Sequence, residues 1–411
     1  MKILLTSDWF APAVNGVVVS FMNLYKELKK QGHDVKILTL SDSDHSYIDG
    51  DYYFVRSFGF KVYPDVRATL AFNSSVLDVL IDWKPDIIHS QCEFFTYSFA
   101  YRIAKKTGAP LVHTYHTLYE YYTKYLFLNE KVGKSIVRNV MRFRLKNAET
   151  VIAPTQKVKN TLLSYDLNEN IKVIPTGIDL EKYNKEVPEE KIIDIKKSLK
   201  IPLDHKILIN IGRVAEEKNL SELVDNFKIL KKVCDDISFV IVGDGPYLEK
   251  LKAYVESKEI EDIYFTGMIK PDNIIDYYRL GDIFISASIS ETQGLTYIEA
   301  LANGLPEVCR KDDAIQGVIE EGYNGFLYKN EAEFVESVKK LLKNDDMRFE
   351  FSKNAKDSSE KFNTYNFGLK VSKLYDEVLS NYKPGSRKPA FDNLVRNIKI
   401  KGKKLRKYRR N

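Results

Sequence analysis

The feature that most constrains this chain is a rhythm: short, continuous apolar runs alternate with amphipathic segments of helix length, and the pattern occurs twice. The first half opens on Ile3-Leu4-Leu5 and passes through a loop containing Pro, Asn and Gly (Ala11 to Gly16). It then runs amphipathically to Lys30, stops at Gly32 and resumes as Val35-Lys36-Ile37-Leu38. Strand, loop, helix and strand in that order make a βαβ unit, and continuous apolar runs belong to a parallel sheet covered on both faces. Asp86 to His89, Pro110 to His113 and Thr150 to Ala153 continue the series. The second half repeats it, with strands at Lys206 to Asn210, Ser238 to Val242, Ile263 to Phe265 and Ile283 to Ser286. Helices are expected at Ser221 to Cys234, Ile274 to Leu280 and from Leu295.

The expected fold class is therefore α/β, with two Rossmann-like parallel-sheet domains facing across a cleft. Ligands of such sheets gather at the C-terminal ends of the strands. A length of 411 residues suits two domains rather than one. Pro175 and Gly177 interrupt the pattern and place the hinge at Val173 to Gly177. The expected divisions are residues 1–174, 175–362, a helix over 363–382 returning towards the first domain, and a basic tail over 383–411.

Charge is unevenly spread. The chain carries +6 in all, yet Lys383 to Asn411 holds twelve Lys or Arg and one acid, so the body is acidic and one segment is suited to an anionic surface. Three widely spaced cysteines, Cys92, Cys234 and Cys309, offer no metal-ligand spacing and read as thiols of a reducing compartment. An acidic residue, Asp8, precedes any signal-peptide core, and no run approaches the ~18 apolar residues that span a bilayer. The expected location is cytoplasmic, peripheral on the inner face of the cell membrane.

The strongest chemical signal is Ser290 to Ala300, which follows an apolar strand and enters a helix through Gly294. Free N–H groups and the helix dipole make such an entrance an anion site suited to a diphosphate. Glu291 stands before the turn. Glu299, about two helical turns along, can accept hydrogen bonds from a ribose diol or can simply be solvated. Gly212-Arg213-Val214-Ala215-Glu216-Glu217-Lys218-Asn219 also follows a strand. Arg213 and Lys218 there would stabilise a departing nucleoside diphosphate, or pair with surface acids.

Together these segments resemble the retaining glycosyltransferases of family 4 (GT4), which have the GT-B fold. The resemblance extends to about Leu379 and rests on Asn15-Gly16-Val17, His113 to Thr117, Pro175 to Asp179, Gly212-Arg213 with Lys218-Asn219, Gly243-Asp244-Gly245-Pro246, and Glu291 to Glu299. It implies that Gly16 lets the first loop approach the donor and that His116 contacts hydroxyls of the transferred sugar. A buried histidine bonded to backbone is the other reading of His116. Arg213, Lys218 and the backbone at Gly294 and Leu295 would hold the diphosphate, with Gln293 in the same donor-binding turn. Glu291 would contact the sugar, Glu299 the ribose, and the base would lie near Gly267-Met268-Ile269. His116, Glu291, Arg213 and Lys218 are the implied catalytic set.

Two departures from the family pattern stand out. Asn15 occupies the first of two loop glycines, and Asn tolerates positive φ. Glu307 stands where relatives carry an apolar residue, which puts the packing of its strand in question. No Asp-x-Asp motif appears in the expected place, so no metal or cofactor is expected beyond the donor substrate.

The stretches His113 to Tyr122 and Glu291 to Tyr297 further resemble bacterial diacylglycerol α-glucosyltransferases. Lys134, Arg138 and Arg142 repeat every four residues, with Ile136, Val137, Val140, Met141 and Phe143 as the apolar side. Such a helix suits an anionic leaflet, or packs on the core with solvated basic residues. In the tail, Phe391, Leu394, Val395 and Ile398 share one helical face among Arg396, Lys399, Lys403 and Lys404. The expected partners are a nucleotide sugar, a lipid or glycan acceptor and an anionic membrane, with no nucleic acid. The expected reaction is α-retaining hexosyl transfer, glucose from UDP-glucose to a membrane lipid such as diacylglycerol or a glycolipid. A soluble, polysaccharide or protein-linked glycan is the alternative acceptor. A non-enzymatic binding protein whose basic tail meets nucleic acid or another polyanion is a third reading, for which the cleft motifs would have no purpose.

Overall fold

The computed structural model describes residues 1–10, 15–59, 67–121, 130–167 and 170–384. The described residues divide into two units: Met1–Ile174 with those from Gly368 onward, and Pro175–Phe367.

The first unit contains β1 (Lys2–Ser7), α1 (Gly16–Lys30), β2 (Asp34–Leu40), β3 (Tyr47–Asp49) and β4 (Tyr52–Val55). A small antiparallel pair, β5 (Phe58–Gly59) and β6 (Arg67–Ala68), leads to α2 (Ser75–Trp83), β7 (Ile87–Ser90) and α3 (Phe95–Thr107). Then come β8 (Leu111–Thr114), α4 (Glu130–Leu145), β9 (Thr150–Ala153), α5 (Gln156–Leu163) and β10 (Ile171–Val173). Eight strands form one sheet in the order β10-β9-β8-β7-β1-β2-β4-β3, parallel except for β3 against β4. Leu4, Leu38, Ile88 and Leu111 are wholly buried in its core, which is why these strands read as unbroken apolar runs.

The second unit contains α6 (Leu180–Tyr183), α7 (Glu189–Leu199), β11 (Lys206–Ile211), α8 (Leu220–Leu230), β12 (Ile237–Val242), α9 (Leu248–Ser257) and β13 (Ile263–Gly267). It continues with α10 (Ile274–Leu280), β14 (Ile283–Ser286), α11 (Leu295–Ala302), β15 (Glu307–Arg310), β16 (Gly325–Tyr328), α12 (Glu331–Lys343) and α13 (Asp345–Ser359). Its six-stranded sheet, β13-β12-β11-β14-β15-β16, is parallel throughout. On α8, Leu220, Leu223, Val224, Phe227 and Leu230 are buried on one face. Each such side chain contributes about 1.5–3 kcal/mol on leaving water. That helix ends four residues short of Cys234, whose N–H still bonds Leu230 O in a closing turn.

The last helix, α14 (Thr364–Asn381), crosses the division at Gly368. Its Tyr375 is fully buried in the first unit, with the hydroxyl 2.6 Å from His89 Nδ1. Gly368 packs against Glu27 of α1 and against Gln31, the residue that ends it, leaving no room for a side chain.

The sequence expectations for Asn15 and Glu307 are both revised. Asn15 has φ −152°, extended backbone, and acts as the N-cap of α1, its side chain accepting from Val18 N–H at 3.0 Å. The residue owes its place not to tolerance of positive φ but to its side chain as a hydrogen-bond acceptor. Glu307 does not disturb its strand: β15 pairs in register with β14 and β16, and Glu307 is fully buried. Burial pushes its carboxyl well above the ordinary range, and the Cys309 thiol donates to it. All three cysteines are free thiols.

Candidate active site

In the second unit the chemistry-bearing loops follow β11 and β14, and a glycine-rich turn after β12 holds the first of them. Gly212 N–H bonds Val242 O and Val214 N–H bonds Asp244 O, both at 2.9 Å, while Tyr247 N–H returns to Val214 O at 3.0 Å. The two backbones run so close that a Cβ on Gly243 (φ +134°) would collide with Gly212 O, and one on Gly245 with Val214 O. This explains Gly243-Asp244-Gly245: it is a brace that fixes Arg213, and no side chain fits inside it.

From that brace the chain makes a 3₁₀ turn over Glu216–Lys218 and enters α8 through Asn219, whose φ of +53° is the left-handed conformation Asn accepts. Arg213 pairs with the buried carboxylate of Glu217. Lys218 Nζ lies 2.5 Å from Glu291 Oε1, although 73 residues separate them. Ser290 Oγ donates to Glu217 O at 3.0 Å and joins the two loops. Gly294, at φ +74°, opens α11 with no side-chain cap, and a Cβ there would strike the Tyr297 ring at 2.5 Å. The first turn of α11 thus lies close to the Lys218–Glu291 pair, with the Arg213–Glu217 pair on the adjoining loop, an arrangement able to exchange carboxylate for diphosphate.

Glu299, one face further along α11, is half-buried rather than solvated. Tyr278 of α10 donates its hydroxyl to Glu299 Oε2 at 2.7 Å. Burial raises the Glu299 carboxyl above its ordinary value, against the opposing pull of Tyr278, Tyr183 and Lys182. Met268 follows Gly267 (φ +68°) at the end of β13 and is 72% exposed, open to a ligand. Leu295 is half-buried in the first turn of α11. Gln293, expected in the donor-binding turn, is anchored by its side chain. Its amide is buried and committed to the backbone of Thr176, accepting from N–H at 2.8 Å and donating to O at 2.9 Å.

In the first unit the strand ends carry a different chemistry. His116, just past β8, bonds Gln91 Oε1 through Nε2 at 2.6 Å, so its partner is a side chain rather than backbone. Burial, then the neighbouring His113, pushes its pKa down to about 3, and it is a neutral imidazole. His113 faces the buried Glu93 at 3.2 Å, Tyr119 donates to the same carboxylate at 2.6 Å, and His89 bonds Thr114 Oγ1 at 2.7 Å. Asp8, at the end of β1, accepts from the N–H groups of Phe95 and Thr96 at the start of α3. Burial raises its pKa to about 6. Gly16 is the exposed first residue of α1. Glu217, Tyr278, Tyr183, Gln91, Glu93 and Asp8 gave no signal in the sequence, because an acid or tyrosine beside a strand end looks like ordinary surface or core.

The apolar side of α4, read as one stripe, is two. Met141 and Leu145 are buried against Tyr115, Leu118 and Val151, with Val137 packed beside them, whereas Val132, Ile136 and Val140 are 52%, 47% and 42% exposed. Lys134 and Arg138 are exposed, and Arg142 pairs with Asp166 at 3.2 Å. The tail residues Arg396, Lys399, Lys403 and Lys404 lie outside the described residues. Among the described residues no group of three or more His, Cys, Asp or Glu is placed to hold a metal ion.

The comparisons with known proteins fit this geometry. Residues 14–182 match the family model Glycosyltransferase Family 4, and residues 191–358 match Glycosyl transferases group 1. The chain is 36% identical to the alpha-monoglucosyldiacylglycerol synthase of Streptococcus pneumoniae, over 93% of this chain and 87% of that protein. It is 30% identical to the alpha-monoglucosyldiacylglycerol synthase of Acholeplasma laidlawii, over 92% and 98%. Among solved structures, Anabaena HepE in complex with UDP and glucose superposes with a TM-score of 0.72 at 17% identity, covering 92% of this chain and all of that one, a likeness of fold. With these two segments in succession on two parallel-sheet units, the chain belongs to glycosyltransferase family 4 and has the GT-B fold.

Proposed function

We propose that this enzyme transfers glucose from UDP-glucose to the free hydroxyl of diacylglycerol, retaining the α configuration, as a peripheral protein on the inner face of the cell membrane. The observation that carries the chemistry is Lys218 held 2.5 Å from Glu291 beside the uncapped start of α11. A diphosphate on that turn meets Lys218 and Arg213 already in place. As the bond from sugar C1 to the diphosphate oxygen breaks, the growing negative charge is stabilised without reorganisation. The acceptor hydroxyl bonds C1, its proton leaves with the diphosphate, and Glu291 is freed to hold a sugar hydroxyl. Glu299 accepts from the ribose diol. His116, being neutral, is suited to sugar hydroxyls rather than phosphate. Two cations and a helix N-terminus supply the positive charge, so this reading includes no metal.

The lipid acceptor is supported by the two relatives named for monoglucosyldiacylglycerol and by the exposed Val132, Ile136 and Val140 beside Lys134 and Arg138. Their names specify an α-glucoside, and UDP-glucose carries its sugar α-linked, so the net outcome is retention. Among the described residues no helix is long and apolar enough to cross a membrane. The test is transfer from a panel of UDP- and GDP-sugars, with EDTA, to diacylglycerol in anionic vesicles or to soluble glycans. Glucosyl transfer from UDP-glucose to the lipid is the expected result. Transfer to a soluble glycan alone overturns the acceptor, and activity lost in EDTA and restored by Mg²⁺ overturns the metal-free step.

A further inference from the structure

Glu299 is held from outside its own helix by buried tyrosines and an arginine clamp. Tyr278, fully buried on α10, directs its hydroxyl at Glu299 Oε2 from 2.7 Å. Tyr183, buried at the end of α6, stands edge-on to it, with ring centroids 6.3 Å apart and planes at 89°, and lies beside the same carboxylate. Arg279, the next residue after Tyr278, clamps this corner. Its guanidinium donates to Tyr183 O at 3.0 Å and to Asn303 O, at the end of α11, at 2.9 Å. Three helices are thus locked around one carboxylate.

A carboxylate on the first turns of a helix has rotamers to spare, and one that must receive two vicinal hydroxyls has to be fixed in angle. It also has about four acceptor sites, so a hydroxyl donated to Oε2 orients it without using it up. We propose that Tyr278 is a positioning residue for donor binding: by donating to Glu299 Oε2 it fixes the carboxylate that receives the ribose diol, and so sets the preference for a 2′,3′-dihydroxy nucleotide. The inference rests on the assignment of Glu299 to the ribose. Burial raises the Glu299 carboxyl above its ordinary value, and the hydrogen bond from the Tyr278 hydroxyl opposes that rise.

The experiment compares Kd for UDP and for 2′,3′-dideoxy-UDP in the full chain, in Glu299→Gln and in Tyr278→Phe. Wild type is expected to prefer UDP, and Glu299→Gln to lose that preference. Tyr278→Phe is expected to bind UDP about tenfold more weakly, the scale of a hydrogen bond to a charged group, with dideoxy-UDP bound as in wild type. Unchanged dideoxy-UDP affinity also shows that the variant is folded. In turnover, Tyr278→Phe is expected to raise the donor KM with kcat within about twofold, as for uniform binding. A preference lost in Glu299→Gln but intact in Tyr278→Phe overturns the role of Tyr278 alone. A preference intact in Glu299→Gln overturns the ribose assignment, and this inference with it. Equal weakening of both ligands in Tyr278→Phe marks the tyrosine as packing only and also overturns the proposal.

Discussion

The two units place polar residues at the ends of similar parallel sheets, yet they handle charge in opposite ways. In the second, Arg213 and Lys218 reach partial exposure and are matched by Glu217 and Glu291. In the first, His89, Gln91, Glu93, His113, His116 and Tyr119 form a buried or half-buried network in which desolvation favours the neutral form of His89 and His116. Fixed cations suit a step in which negative charge develops; neutral imidazoles in a dry setting suit recognition of hydroxyls, where direction matters more than field. The same topology therefore yields an electrostatic surface in one unit and a hydrogen-bonding surface in the other.

The largest test of that contrast is Arg213→Ala and Lys218→Ala, each expected to lower kcat on the order of 100-fold, as for loss of one transition-state donor. Near-normal single-turnover rates in a folded double variant would erase the distinction. Next in size is the outer face of α4, which carries the exposed Lys134 and Arg138. Lys134→Gln with Arg138→Gln is expected to weaken binding to anionic vesicles on the order of tenfold at low salt, and less at high salt. Ile136→Ser with Val140→Ser should weaken it at any ionic strength. Vesicle binding that follows neither pair, but falls on removal of residues 385–411, transfers the role to the tail.

His116→Asn is expected to lower kcat/KM by roughly five- to tenfold, the scale of one or two hydrogen bonds. Since the His116 pKa lies at about 3, its charge is constant between about pH 5 and pH 8, and no limb of the pH–rate profile there should vanish in the variant. A limb that does vanish makes the first unit's network a charged one after all. The smallest effect concerns Asp8, whose pKa rises from 3.8 to about 6 on folding. A carboxyl raised by folding contributes stability that is full below pH 3.8 and lost as pH rises through about 6. Thermal melts of wild type should therefore lose ground to Asp8→Asn between about pH 4 and pH 7, by a few degrees in Tm. Parallel curves would mean that Asp8 is not desolvated.

The contrast also explains what was legible beforehand. Strands such as Ile283–Ser286 announced themselves because burial on both faces leaves an unbroken apolar run. The edge strand β3 did not: its Ile48 and Asp49 are exposed, and three residues carry no period. The cations of the second unit were visible as Arg213 and Lys218 because charge after a strand is unusual. Their partner Glu217 looked like one more surface acid, and Tyr278 like one more core aromatic. Asparagine was the instructive case. Asn15 and Asn219 both precede helices, but one caps with its side chain at φ −152° and the other bends the chain at φ +53°. Only the backbone of each loop decides between those uses.

The discontinuity of the first unit bears on how the protein emerges from a ribosome. Residues 175–367 are contiguous, and everything needed for their core is made in one stretch. The first unit begins with Met1 but includes Tyr375, whose hydroxyl meets His89 286 residues earlier in the chain. At a synthesis rate of about 5–20 residues per second, the nascent first unit waits tens of seconds for the helix that completes it, with His89 lacking its last partner meanwhile. The half that is made second can finish folding first. A chaperone, a translation pause or a truncated transcript acting in that interval meets an N-terminal sheet that is fully synthesised yet incomplete.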